Sequence, residues 1–139
     1  MLTSGFRCGP VTYHGPVIRE LGKIDIARYV ADCMRRQDSP RASELAIRYG
    51  VTPSHLSRTF RTRYGQSLSA YIKALQLRRA QRLLRTTTLD TTRIGYACGF
   101  ATRRTFFRAY RRATGDSPRR HQLTISSRRK GSVRRQSDR

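Results

Sequence analysis

The strongest constraint on the fold is an internal repeat. Leu45-Ala46-Ile47-Arg48-Tyr49-Gly50-Val51 corresponds to Ile94-Gly95-Tyr96-Ala97-Cys98-Gly99-Phe100 at an offset of 49 residues. Arg58-Thr59-Phe60-Arg61 then corresponds to Arg108-Ala109-Tyr110-Arg111 at an offset of 50, and Gly65 and Ser67 to Gly115 and Ser117. The second copy therefore has one extra residue in its turn. Each copy reads as a short helix, a glycine turn and a second helix, the sequence form of a helix-turn-helix.

Apolar periodicity and capping signals fill in the rest. Ile26, Ala27, Val30, Cys33 and Met34 recur at helical spacing between Ile24 and Arg36. Ser39-Pro40 offers a cap and a first-turn proline for a short helix from about Arg41 to Tyr49. Thr52-Pro53 starts the next, which Gly65 ends. Ser67 opens a long helix through Leu84, with Leu68, Tyr71, Ile72, Leu75, Ala80, Leu83 and Leu84 as its stripe. Asp90 caps a short helix to Cys98, and a last one runs from about Thr102 to Thr114, with Gly115 and Pro118 beyond it. The expected fold class is all-α, two helix-turn-helix subdomains joined by a long central helix. The expected organisation is a flexible N-terminal arm over 1–22, a domain over 23–122 and a disordered basic tail over 123–139, where apolar residues run out.

Charge narrows the partner. The chain carries 30 Lys and Arg against 8 Asp and Glu, a formal +22, and only Lys23, Lys73 and Lys130 are lysines. Such a field concentrates polyanions, and each neutralised phosphate releases a counterion. Arginine also forks to phosphate or guanine better than lysine does. Charge alone leaves ribosomal-type, membrane-surface and histone-like proteins open. Cys8, Cys33 and Cys98 stand far apart without a CxxC pair, and His14, His55 and His121 have no ligand spacing, so neither a disulfide framework nor a zinc site is suggested. No cofactor is expected. With no membrane-length apolar stretch and no signal-peptide core, the expected location is cytoplasmic, on the nucleoid.

The second helix of each copy can be tested by geometry. Residues advance by about 100° around a helix. Leu56 and Phe60 mark a buried face in the first copy, and Ser54, Ser57, Arg58 and Arg61 fall roughly opposite. Phe106 and Tyr110 do so in the second, with Arg104, Phe107, Arg108 and Arg111 on the other side and Arg103 near the helix start. Small residues permit close approach to a duplex, and arginine reaches guanine edges or phosphates. Any single arginine is ordinarily a solvated charge, as Arg48, Arg82 and Arg85 are expected to be. Arg58 and Arg108 differ because the repeat places both at the same point of both copies. Phe107 could meet a thymine methyl, though packing on a neighbouring helix is favoured for it. The remaining aromatics, Phe60, Tyr64, Tyr71, Phe100 and Tyr110, are core by spacing.

The stretch from Ala42 to Gln122 resembles the DNA-binding domain of the AraC/XylS family of bacterial transcription regulators. The resemblance rests on Ser43-Glu44-Leu45-Ala46, on Gly50-Val51-Thr52-Pro53-Ser54-His55-Leu56-Ser57-Arg58-Thr59-Phe60, on Gly65-Gln66-Ser67, and on Tyr71 with the Ala80…Leu83-Leu84 block. Gly99-Phe100, Phe106-Phe107-Arg108-Ala109-Tyr110-Arg111-Arg112 and Gly115-Asp116-Ser117-Pro118 extend it through the second copy. The resemblance implies about seven helices in two subdomains, each placing a recognition helix in a major groove. It implies that Ser54, Ser57 and Arg58 face DNA in the first, and Arg103, Arg104, Thr105 and Arg108 in the second. Departures gather in the second copy. Gln76 replaces a usual Arg, Thr91 an Ile, Arg93 an acid, Gly95 an Ala, Thr102 an Asp, and His121-Gln122 a Tyr-Arg pair. With the glycine costing a helix interior about 1 kcal/mol, Gly95→Ala is expected to be tolerated and mildly stabilising, given room for a methyl.

The leading functional expectation is a sequence-specific binder of double-stranded promoter or operator DNA that regulates transcription by reading two adjacent major grooves about 10 base pairs apart. Only about two dozen residues precede the first helix, too few for the family's usual sensor domain. A stand-alone or truncated regulator is therefore expected, needing no small-molecule effector, binding as a monomer, with RNA polymerase as a further partner and an activator role. The alternative is a non-specific nucleoid-type binder. An enzyme is disfavoured, because no Cys/His constellation, carboxylate pair or glycine-rich phosphate loop is present. The basic tail reads equally as a non-specific DNA arm or as a solvated end.

Overall fold

The computed structural model describes residues 22–137, with side chains through Gly131. The proposed N-terminal arm therefore lies, apart from Gly22, outside the described residues. Seven helices and no strand occur among them: α1 (Lys23–Arg35), α2 (Ala42–Arg48), α3 (Pro53–Tyr64), α4 (Leu68–Thr86), α5 (Thr91–Ala97), α6 (Arg103–Thr114) and α7 (Pro118–Ser137). The all-α expectation holds. The chain divides into two compact units, with α2 and α3 in the first and α5, α6 and α7 in the second; the division cuts α1 between Asp32 and Cys33, with 33–39 grouped in the second unit, and α4 between Ala74 and Leu75.

In the first unit the buried side chains are Ile26, Tyr29, Val30, Leu45, Ala46, Leu56, Phe60, Leu68 and Ile72. They come from every helix of the unit: Ile26 and Val30, Leu56 and Phe60, and Leu68 and Ile72 lie four apart, as an apolar stripe requires, while the short α2 contributes the adjacent pair Leu45 and Ala46. Phe60 stacks obliquely with Tyr64 at 4.7 Å and Tyr71 at 5.5 Å between ring centroids. The Lys23 ammonium lies over both tyrosine rings, and the Tyr71 hydroxyl donates to the Lys23 carbonyl at 3.1 Å. Tyr64 and Tyr71 are thus half-buried latches for α1.

The start of α2 departs from expectation. Ser39-Pro40 does not cap it. The N-cap is Arg41, whose side chain makes no capping bond. The hydroxyl of Tyr29, reaching from α1, accepts the Arg41 N–H at 3.0 Å and donates to the Glu44 carboxylate at 2.7 Å. A residue on another helix therefore supplies what a local cap would have supplied.

The core of the second unit is Ala80, Leu84, Ile94, Cys98, Phe100, Phe106 and Tyr110, with Leu77, Leu83, Phe107 and Ala109 packed at its margin. Two of the departures from the family pattern are buried polar groups here, Gln76 and Thr91. Gln76 Nε2 donates to the Cys98 carbonyl at 3.0 Å, so its amide serves the end of α5 from α4. Burial pushes the Cys98 thiol up to about 12, which leaves it protonated and unreactive.

Gly95 is also explained. A Cβ built there would lie 2.9 Å from Phe106 Cδ1, 3.1 Å from Cγ and 3.2 Å from Cβ. No room for a methyl exists, and the expectation that Gly95→Ala is benign is wrong. Gly95 corresponds to Ala46, and Phe106 to Leu56. The copy with the larger residue on its second helix has the smaller one on its first, so the pair of volumes is roughly conserved.

The tail also differs from expectation. It is not disordered but continues α7 to Ser137. Pro118 is fully buried at the helix start, and the Ser117 hydroxyl accepts from the Arg120 N–H at 3.3 Å. The replacements His121 and Gln122 both tie the helix down. Nδ1 of His121 meets the Tyr110 hydroxyl, and Gln122 Nε2 donates to the Leu89 carbonyl at 2.7 Å. Arginine, lysine and glutamine are good helix formers, so helix can continue where apolar residues have ended.

Candidate nucleic-acid interface

From the turn onward the two helix-turn-helix units are built alike. Gly50 and Gly99 take positive φ of 66° and 79°, the left-handed backbone that closes the turn after α2 and α5. The next residue then bonds back in each case, Val51 N–H to the Ala46 carbonyl at 2.9 Å and Phe100 N–H to the Gly95 carbonyl at 3.1 Å. Thr52 and Thr102 cap the second helices, their hydroxyls accepting from His55 N–H at 3.2 Å and Thr105 N–H at 3.1 Å. Thr102 does here what the family's usual Asp would do. Gly65 and Gly115 end those helices in the left-handed conformation, each N–H reaching the fourth residue back at 2.8 Å. The extra residue of the second copy lies between Phe100 and Thr102, ahead of the helix, so α3 and α6 keep the same internal register.

That register fixes which side chains face outward. Leu56 and Phe60 are buried in α3, and Phe106 and Tyr110 in α6. Arg58 sits midway in sequence between the first pair and Arg108 between the second, which puts each about 180° around the helix from its buried pair. Ser54, Ser57, Arg58 and Arg61 are all exposed, as are Arg103, Arg104, Thr105, Arg108 and Arg111. The guanidinium groups of Arg58, Arg61, Arg104, Arg108 and Arg111 have no hydrogen-bond, ion-pair or ring partner among the described residues.

Three proposed site residues are more constrained. Phe107 is half-buried, packed edge-on to Phe106 at 5.8 Å at the margin of the core. Arg103 lies over the ring of Phe107 at 4.7 Å, a cation–π contact. The Thr105 hydroxyl pairs with that of Thr102 at 2.8 Å, within the cap. The faces are also unlike. Ser54 and Ser57 of the first unit correspond to Arg104 and Phe107 of the second, which makes the second face larger and more basic.

Sequence reasoning missed the groups that set these faces. Tyr29 fixes the start of α2, Gln76 the end of α5, and Gly95 the approach of α5 to α6. Each acts across helices, and the only sequence signal was a polar or small residue inside an apolar stripe. Arg48, read as a solvated charge, is exposed but has its guanidinium over the Tyr29 ring at 5.4 Å. No helix among the described residues is long and apolar enough to cross a membrane.

A pair of such units, each presenting a capped helix with a basic outer face, defines a double helix-turn-helix DNA-binding domain. A family model described as a helix-turn-helix domain matches residues 45–123. The HTH-type transcriptional regulator GlxA of Rhizobium meliloti is 34% identical over 107 residues, 77% of this chain and 31% of that protein. CdhR of Pseudomonas aeruginosa, a regulator of the same type, is 33% identical over 94 residues, 67% of this chain and 28% of that protein. The chain thus spans less than a third of the length of these two relatives. Among solved structures, the DNA-binding domain of AdpA in complex with a target DNA is similar with a TM-score of 0.64 at 25% identity, over 74% of this chain and 94% of that one. An AraC-type regulator structure from Chromobacterium violaceum has a TM-score of 0.57 at 28% identity, over 70% and 89%. The chain belongs to the AraC-type helix-turn-helix family.

Proposed function

We propose that the chain binds double-stranded DNA sequence-specifically and regulates transcription, with α3 and α6 each entering a major groove. The observation that carries this reading is the equivalence of Arg58 and Arg108. Both lie opposite the buried pair of a recognition helix, both are exposed, and both lack a partner among the described residues. In this reading they contact base edges. Ser54 and Ser57 allow close approach in the first block, and Arg104 adds a second fork in the second. Arg61 and Arg111, one turn further on, meet phosphates. Arg103, Thr105 and Phe107 shape the start of α6 and border the groove. One chain occupies one site as a monomer, and RNA polymerase is the further partner that regulation would require.

Selection of bound sequences from a random duplex pool tests this directly. Arg58→Ala and Arg108→Ala should each cost about 1–3 kcal/mol on the selected site and relax the preference in one block only. An unchanged consensus in both variants would reduce the two side chains to phosphate clamps. The formal charge of +22 also supports a non-specific packing role. That role predicts that selected and random duplexes lose affinity together as salt rises, whereas a specific reader keeps its preference.

A further inference from the structure

The family match ends at Leu123, but α7 continues for fourteen residues, 124–137. Its root is held firmly, through the buried Pro118, the His121–Tyr110 contact and the Gln122–Leu89 bond. Ile125 is half-buried, and 126–131 are all exposed. This outer stretch carries Arg128, Arg129 and Lys130, none of which has a hydrogen-bond or ion-pair partner among the described residues. No Asp or Glu occurs between Asp116 and Asp138 to neutralise them. Along the outer stretch hydroxyls bond back to the helix itself, Thr124 to the Arg120 carbonyl at 3.0 Å and Ser127 to the Leu123 carbonyl at 2.9 Å. A helix this basic, rooted in a folded unit and exposed at every position from 126 to 131, is a rod of positive charge in a set direction rather than a loose tether.

We propose that the outer part of α7 is a third DNA-binding element, a helical arm that grips the sugar-phosphate backbone on the flank beside the block met by α6. The proposal rests on the DNA-binding reading and adds to it a contact outside the two grooves. Residues 126–137 span about 18 Å as helix, which matches about five base pairs of flank. Because the contacts are to phosphate, they add affinity and footprint but no sequence preference.

The test uses the full chain and duplexes carrying the selected site, with long or trimmed flanks on the α6 side. Trimming that flank should weaken wild-type binding about tenfold, and trimming the opposite flank should not. Replacing Arg128, Arg129 and Lys130 together by Gln should make the salt dependence shallower by about 2.7 in log–log slope. That slope corresponds to about 40-fold less loss of affinity for a fourfold rise in salt. Ser127→Pro keeps every charge but breaks the helix ahead of Arg128; it should abolish the effect of flank length while the thermal melt of the core stays unchanged. Wild-type behaviour of Ser127→Pro on the long flank would show that unstructured charge suffices and overturn the helical arm. An unchanged salt slope in the Gln variant would overturn the contact altogether. All these variants should select the parent consensus, so a failure here leaves the major-groove reading standing. Absence of any consensus in the wild type would overturn that reading, while the salt slope of the Gln variant on a random duplex still judges the arm.

Discussion

Gly95→Ala is the substitution for which sequence and structure give opposite signs. In a helix interior the change should gain up to about 1 kcal/mol, because glycine is the poorer helix former. Against this stands the geometry. Carbon atoms in good contact lie about 3.5–4.0 Å apart, and the new methyl would meet Phe106 at 2.9 Å, about 0.6 Å too close. Phe106 cannot swing away, since it is fully buried and ringed by Phe100 at 5.2 Å, Phe107 at 5.8 Å and Tyr110 at 5.8 Å. Overpacking of this kind costs about 1–3 kcal/mol, so the net effect should be a loss of about 1 kcal/mol. Urea denaturation followed by circular dichroism would show it as a lower midpoint at unchanged m. The sharper form is a double-mutant cycle with Phe106→Leu, which rebuilds the Ala46 and Leu56 pair of the first unit in the second. The two changes should couple favourably by about 1 kcal/mol. A Gly95→Ala protein as stable as wild type, or a cycle with no coupling, would refute the argument.

Other outcomes follow from the caps, the buried groups and the helix interior. Thr52→Ala and Thr102→Ala should each destabilise their own unit by about 1 kcal/mol, read by hydrogen exchange at the first turns of α3 and α6. Tyr29→Phe leaves the Arg41 N–H and Glu44 without their shared partner and should loosen α2 in the same assay, with little change at α5. Cys98 should resist alkylation in the native protein at neutral pH and react only on unfolding. Burial raises the Tyr110 hydroxyl to about 12, so its contribution to stability is complete below 10.0, the ordinary value, and drains away as pH climbs toward 12. Tyr110→Phe should flatten that part of a stability-against-pH curve.

What the sequence made legible was chemistry confined to a few neighbouring residues. Thr52, Asp90 and Thr102 act on donors two or three positions away, and Gly65 and Gly115 on the turn just closed, so pattern alone finds them. The outward faces of α3 and α6 were equally legible, because helical period orders them once Leu56, Phe60, Phe106 and Tyr110 are known to be inside. The failures share a different cause. Tyr29 caps a helix 12 residues away, and the methyl missing at Gly95 would strike a side chain on another helix, so neither effect has a local trace. The end of α7 differs from the sequence expectation because apolar residues signal packing, whereas helix can persist on propensity and a firm root alone. Phe107 packs against Phe106 at the margin of the core, and its contact with Arg103 was beyond the reach of periodicity.

The unlike outer faces of α3 and α6 have a consequence for the orientation of the bound chain. A homodimer of identical readers is indifferent to which strand is called the top one, because its half-sites are copies. Here one chain carries Ser54 and Ser57 at the places where its second copy has Arg104 and Phe107. If the two faces select different bases, turning the chain end for end puts each face on the wrong block. The target then has a head and a tail, and flipping it within a promoter would turn every other surface of the protein to face the opposite way along the DNA.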